Sequence, residues 1–265
     1  MPNENKNEGE WPLSMAHLEN SKYAPSTLHW QTSSIEAFQM DQDAILEAAE
    51  ARRVYPGAPR FPLKEGLWPS TLTLEKALRK RRTVRSFSPR AVSWSLLSRL
   101  LRSSAGVTGG MPVEGSQGVV QRFRAWPSAG GLYPVEIYPV LFEGPRQGVY
   151  HYVPFDACLE QLAKTPPKDE IRKNILSGQS EIEAPLLLVL TGVPGRTLQK
   201  YGERGYRFLL MEIGHVAQNI LLTATALGLG ACPIGGFYED RLLETLGIER
   251  KETVLYVIAL GHSRK

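Results

Sequence analysis

Lys200–Phe237 reads KYGERGYRFLLMEIGHVAQNILLTATALGLGACPIGGF, and its middle predicts one long helix that decides the fold. Leu209, Ile213, Val216, Ile220 and Leu227 keep to steps of three and four, with Leu210, Ala217, Leu221 and Ala224 in a stripe beside them. No proline interrupts Tyr206–Leu227, and Gly228 follows as a C-cap. Such a helix spans roughly 33 Å, about the width of a domain. Apolar on nearly all sides, it predicts a central helix covered by its own subunit or by a partner. Polar groups gather at its ends: Lys200, Tyr201, Arg204 and Arg207 before it, a Pro-Ile-Gly-Gly turn after it.

The 265 residues, 42% of them hydrophobic, suffice for one large core and a small extension. The net charge of +4 is mild but uneven. Residues 1–50 carry nine acids against Lys6 and Lys22, whereas residues 79–90 carry six cations and no acid. One dense basic cluster suits a local anion site better than a nucleic-acid footprint. Cys158 and Cys232 lie far apart and outside any metal-like spacing, which predicts two reduced thiols in a cytoplasmic protein. The polar, acidic start is unlike a signal peptide, and no apolar run is long enough to span a membrane.

Working outward, residues 1–69 read as an extended arm and a Pro-rich linker, with one helix near Asp41–Arg53. A globular domain is expected over 70–265. Thr73 caps a helix Leu74–Arg81, and Ser93 caps a second with Leu96, Leu97, Leu100 and Leu101 on one face. Ser103–Gln121, rich in Gly and Ser, reads as mobile. Val135–Phe142 and Gly148–Val153 read as strands, Lys168–Leu176 as a helix, and Pro185–Leu190 as a buried central strand. After the long helix come a strand at Ala231–Ile234, a helix near Asp240–Leu246 and a strand at Thr253–Leu260. The alternation predicts a sheet with helices on both faces.

Three motifs carry candidate chemistry. Arg81-Arg82-Thr83-Val84-Arg85 sets cations around a hydroxyl, suited to a phosphate and a ring carbonyl; the plain alternative is a solvated basic helix end. Pro127-Ser128-Ala129-Gly130-Gly131 lets backbone approach a ligand closely, or is an ordinary turn before a strand. Pro233-Ile234-Gly235-Gly236 permits close approach to a ring, or is a tight turn. Glu212 and His215 form one E-x-x-H on the helix, but a di-iron site needs a second, so no metal is expected.

In this order, with GLG at Gly228–Gly230, these motifs resemble the nitroreductase-like flavoprotein superfamily over about residues 70–261. The pattern KYGERGYRxxxxExGHxxQN resembles its thiazole/oxazole-forming SagB/McbC-type dehydrogenase branch. The resemblance implies an α+β, three-layer α/β/α fold with a mixed or antiparallel sheet and a long helix that forms a homodimer. It implies FMN at the subunit boundary: Arg81, Arg82, Thr83 and Arg85 on the phosphate, ribityl chain and N1/O2 edge, and Pro127, Ser128, Ala129 and Gly130 reaching in from the other subunit. Pro233, Ile234, Gly235 and Gly236 match the turn facing flavin N5. Many nitroreductases carry an acid where Gly235 stands here, and Arg264 and Lys265 alone match the basic tail that clamps the phosphate.

The leading expectation is an FMN-dependent oxidoreductase that dehydrogenates thiazolines or oxazolines in a modified peptide, with a cyclodehydratase as possible partner. Lys200 and Tyr201 match the branch's Lys-Tyr pair, and a lysine beside a phenol can lower its pKa and make it the proton acceptor. An NAD(P)H-dependent nitro or quinone reductase would use the same FMN without a base. A flavin-free scaffold partner of a modifying complex would need no basic cluster.

Overall fold

The computed structural model describes residues 12–25, 28–64, 72–166, 168–175 and 183–264. The expected domain boundary at residue 70, and Lys265, lie outside them. Three helices come first, α1 (Leu13–Asn20), α2 (Leu28–Met40) and α3 (Gln42–Glu50), followed by β1 (Arg60–Pro62). The extended arm expected here is therefore largely helical. α3 falls in the stretch read as a helix, while α1 and α2 have weak apolar periodicity; α2 packs on a later helix and α3 on a later strand. α4 (Leu74–Lys80) and α5 (Trp94–Ala105) start on the predicted caps: the Thr73 and Ser93 side chains accept from the N–H groups of Lys76 and Leu96.

The stretch read as mobile instead pairs as a hairpin, β2 (Val107–Pro112) against β3 (Val120–Arg124). Its cross-strand bonds outweigh the weak strand propensity of glycine. Then come β4 (Val135–Leu141), β5 (Gly148–Val153), β6 (Cys158–Ala163), α6 (Lys168–Lys173), β7 (Leu186–Gly192) and α7 (Gly195–Tyr201). α8 (Arg204–Ala226), β8 (Gly230–Ile234), α9 (Glu239–Leu246) and β9 (Thr253–Gly261) close the chain. Seven strands form one sheet in the order β1-β6-β5-β4-β7-β9-β8, every pairing antiparallel.

β7 lies in the middle of the sheet, and its alternation shows why the sequence there is continuously apolar. Leu186, Leu188 and Leu190 face α5 and α8 through Leu97, Leu101, Leu209, Val216 and Ile220. Leu187 and Val189 face α6 and α9 through Ile171, Leu242 and Leu246. The fold is thus α+β, with a sheet covered by helices on both faces. α8 runs 23 residues and ends in a Schellman cap, Gly228 at φ +73° with Leu229 N–H donating to the Ala224 carbonyl. Its start is fixed by close approach to α7: a Cβ on Gly205 would stand 2.6 Å from the Thr197 backbone. No helix among the described residues is long and apolar enough to cross a membrane.

Candidate active site

The sequence motifs gather into two groups, one at each end of α8. At the C-terminal end, the Arg81–Arg85 segment leaves α4 and runs along the edge strand β8. Thr83 makes a parallel bridge to Ala231, and Val84 N–H donates to the Ala231 carbonyl at 2.9 Å. That register carries Arg85 toward Pro233, where β8 runs into the Gly235–Gly236 turn. Phe87 bridges Ser263, two residues beyond β9. A cavity of about 570 Å³ opens here, lined by Lys80, Arg82, Val84, Thr225–Gly230 and Ser263 among others.

The donor set of this group is cationic and spare. Among the described residues no carboxylate pairs with Arg81, Arg82 or Arg85; Arg82 Nη1 donates to the Arg79 and Arg81 carbonyls. Burial pushes the Cys232 thiol up, and Arg85 opposes that, so Arg85 acts on β8. A Cβ on Gly235 would meet nothing within 4 Å, leaving backbone open to a ligand. Arg264 belongs only in part: its N–H donates to the Ser86 carbonyl, but it lines a different, smaller cavity with Glu143, Lys168 and Glu183.

The second group lies by the N-terminal half of α8. Glu212, 2% exposed, accepts from Trp126 Nε1 and from Ser128 Oγ, both at 2.7 Å, and Ser128 Oγ accepts from Tyr133 N–H. These bonds pin the Pro127–Gly131 turn to the helix. Gly130 takes φ +63°, and Tyr133 φ +44° is sustained by Arg196 Nη1 on its carbonyl and Arg124 N–H on its hydroxyl. Burial pushes the Glu212 carboxyl up to about 7, with Trp126, Ser128, Arg124 and Arg196 pulling against it.

Lys200 and Tyr201, at the end of α7, converge on that turn. A Cβ on Gly130 would lie 2.7 Å from Tyr201 Oη and 3.0 Å from Lys200 Nζ, so only glycine leaves the two head groups where they are. Lys200 Nζ lies over the Tyr201 ring, 5.6 Å from its centroid, and over the Phe38 ring at 4.8 Å. This corrects the chemistry expected of the pair. Burial, with Tyr23 adding to it, raises the Tyr201 phenol, whereas burial lowers the Lys200 amine. Partial burial disfavours both charged forms.

Three features were not legible as site features. Glu212 reads in the sequence only as half of a metal motif, yet it anchors the turn. Phe38 and Ser34, in the stretch read as an extended arm, touch Lys200; a Ser-x-x-x-Phe spacing on one helix face is the only signal, and a faint one. His215 is exposed on α8 beside Leu210, Met211 and Gly214. Among the described residues no group of three His, Cys, Asp or Glu side chains is placed to hold a metal ion.

Along α8, Glu212 and the Thr225 that lines the first cavity are about 20 Å apart at 1.5 Å per residue. The arrangement provides a cationic edge with open backbone and, by the N-terminal half of α8, a half-buried amine–phenol pair.

The nitroreductase family model matches residues 78–262. A nitroreductase-like protein of Methanocaldococcus jannaschii is 35% identical over 192 residues, 72% of this chain and 91% of that one. The microcin B17-processing protein McbC of Escherichia coli is 29% identical over 143 residues, about half of each chain. The E. coli microcin synthetase McbBCD complex with truncated pro-MccB17 bound shares the fold, with a TM-score of 0.60 at 23% identity over 98% of this chain and 100% of that one. The chain belongs to the nitroreductase family of oxidoreductases.

Proposed function

We propose that the protein is an FMN-dependent dehydrogenase that oxidises thiazolines or oxazolines to thiazoles or oxazoles in a modified peptide. The observation that carries this reading is the convergence of Lys200 Nζ and Tyr201 Oη on Gly130 of the Pro127–Gly131 turn. A reductase fed by NAD(P)H has no use for a base there.

The residues at the other end of α8 fit FMN. Arg81, Arg82 and Arg85 have no carboxylate partner among the described residues, and Gly235 leaves backbone open. No dinucleotide fingerprint accompanies them. Arg81, Arg82 and Thr83 would hold the phosphate and ribityl chain, Arg85 the ring edge, and Gly235–Gly236 the ring face. When bound, FMN supplies a hydride acceptor. The chain's own part is the proton. Burial lowers the Lys200 amine, the direction that suits the group taking the α-proton of the azoline, and raises the Tyr201 phenol, whose hydroxyl orients the ring by donating to it. The turn at Ser128–Gly130, fixed through Glu212, presents backbone beside them. Because Arg82 and the amine–phenol pair lie by different ends of one helix, a homodimer that crosses its α8 helices would complete each site from two chains. Two free, buried cysteines fit a reducing, cytoplasmic setting, and a cyclodehydratase is the partner that would make the azoline.

The second reading, an NAD(P)H-dependent nitro or quinone reductase, is favoured by the likeness to the M. jannaschii protein over nearly its whole length. One experiment separates them. Lys200→Ala and Tyr201→Phe should stay yellow, release FMN on acid treatment, and lose azoline oxidation by ~10²–10⁴-fold, the usual scale for losing a general base. Their reduction by dithionite should match wild type. Full azoline turnover in both variants would overturn the assigned roles, and wild type that oxidises NADPH but no azoline would overturn the function.

A further inference from the structure

The N-terminal helices are folded onto the Lys200–Tyr201 corner. Ser34 Oγ of α2 donates to the Lys200 carbonyl at 3.0 Å. Phe38, one turn later and 8% exposed, packs with Leu132 of the turn, Ala48 of α3 and Tyr201. Its ring lies 4.8 Å from Lys200 Nζ. Farther along, Arg204 donates to the Ser21 carbonyl and Arg207 to the Leu18 carbonyl, while the His17 ring meets Tyr206 edge-on at 5.5 Å. So the chain before residue 41 is fastened to α7 and α8 at several points, and its deepest contact is on the amine itself.

We propose that α2 is a wall of the catalytic half-site and that Phe38 is a positioning residue, holding the Lys200 amine against Gly130 and out of water. This rests on the reading of Lys200 as the proton acceptor. The groups around the amine are Tyr201 from its own helix, Phe38 from α2 and Gly130 from the turn, while Ser34 holds the Lys200 carbonyl. Tyr23 acts on Tyr201 from the far side, with Arg204 stacked over the Tyr23 ring at 4.1 Å. No carboxylate among the described residues pairs with Lys200, and burial alone accounts for its lowered pKa. The ring has two opposed effects. Its face favours the ammonium, and its bulk excludes the water that the ammonium needs. Exclusion is proposed to outweigh the attraction of the face, and the Phe38 variants separate the two.

The test reads the amine directly, in the flavin-loaded protein as purified. Each lysine is acetylated with a brief pulse of acetic anhydride across a pH series and scored by mass spectrometry, exposed Lys76 serving as internal control. Phe38→Ala should move the Lys200 labelling midpoint to higher pH and raise its plateau rate several-fold. Phe38→Leu, which keeps the bulk and removes the π face, should leave the midpoint at or slightly below that of wild type. The acid limb of azoline turnover should shift with the labelling midpoint. Unchanged labelling in a natively melting Phe38→Ala overturns the proposal. If that variant does not fold, Phe38→Val should show the same shift in smaller measure, and no shift there overturns it equally. Labelling needs no substrate, so a shifted midpoint without any azoline oxidation keeps the wall and sinks the dehydrogenase. A shifted midpoint with an unmoved acid limb removes Phe38 from the reaction.

Discussion

Glu212 is a carboxyl with both oxygens occupied by neutral donors, and its environment sets the pH behaviour of the whole turn. Burial raises it from 4.5 to about 7 against the pull of Trp126 and Ser128. Between those values the folded chain keeps a proton that the unfolded chain has lost. The contribution to stability is therefore complete below about 4.5 and is lost as pH rises through about 7. At 1.36 kcal/mol per pKa unit the swing is on the order of 3 kcal/mol. Gln is close in shape to the neutral acid and cannot ionise. From about pH 5 to about pH 8, the unfolding free energy of Glu212→Gln relative to wild type should thus improve by about 2–3 kcal/mol. Denaturant titrations at several pH values read this, and a difference independent of pH would show that Glu212 is not the titrating group. The sequence shows an acid three residues before a histidine; only folding brings Trp126 and Ser128, 86 and 84 residues away in the chain, onto its two oxygens.

At the scale of elements, the strand Arg60–Pro62 and the segment before it complete the sheet rather than link to it. β1 pairs with β6, and Tyr55 lies over a buried polar row on β4, β5 and β6. In that row Glu136 is gripped by Arg196 at 2.7 Å and His151 at 2.9 Å, and His151 reaches Glu160 at 3.2 Å. Burial would raise the Glu136 carboxyl, but Arg196 and His151 outweigh it and hold it well below the usual carboxylate range. Tyr55 seals the end: its hydroxyl shares a hydrogen bond with Tyr138 at 3.0 Å and its N–H donates to Glu160. Tyr55→Phe should cost about 1 kcal/mol, the worth of one hydrogen bond. Tyr55→Ala should cost several times that, because it also opens the row to water. Equal melting temperatures for the two variants would mean that the ring covers nothing of consequence. Here the sequence is a poor guide for a physical reason. Pro-rich residues 55–62 suggest a linker, and Cys158-Leu-Glu-Gln-Leu-Ala has helical propensity, but pairing between β1, β6 and β5 overrides both. β7, apolar on both faces, and α8, with its long period, are legible because burial dictates their pattern directly.

For the whole molecule, the question is what covers the outer face of α8. Leu210 is 45% exposed and Met211 55%, with Gly214, His215 and Gln218 on the same face. α4 packs beside α8 and leaves Leu74 and Leu78 exposed as well. The cavity beside Arg82 lies at the C-terminal end of this helix and the amine–phenol pair by its N-terminal half. A two-fold axis through the middle of α8 would cross the helix with its copy and bring each end of one against the opposite end of the other. That single operation would cover the apolar face and complete two sites. Light scattering of the yellow protein should therefore give a dimer at micromolar concentration. Leu210→Glu with Met211→Glu, which places charge in the proposed seam and touches neither group of site residues, should give a monomer that loses flavin on gel filtration. Such a monomer should keep its helical content, because both positions are solvent-exposed in the single chain. Wild type that runs as a monomer with flavin fully retained would mean that one chain builds the whole site, and the division of Arg81–Arg85 from Pro127–Gly130 between two subunits would have to be given up.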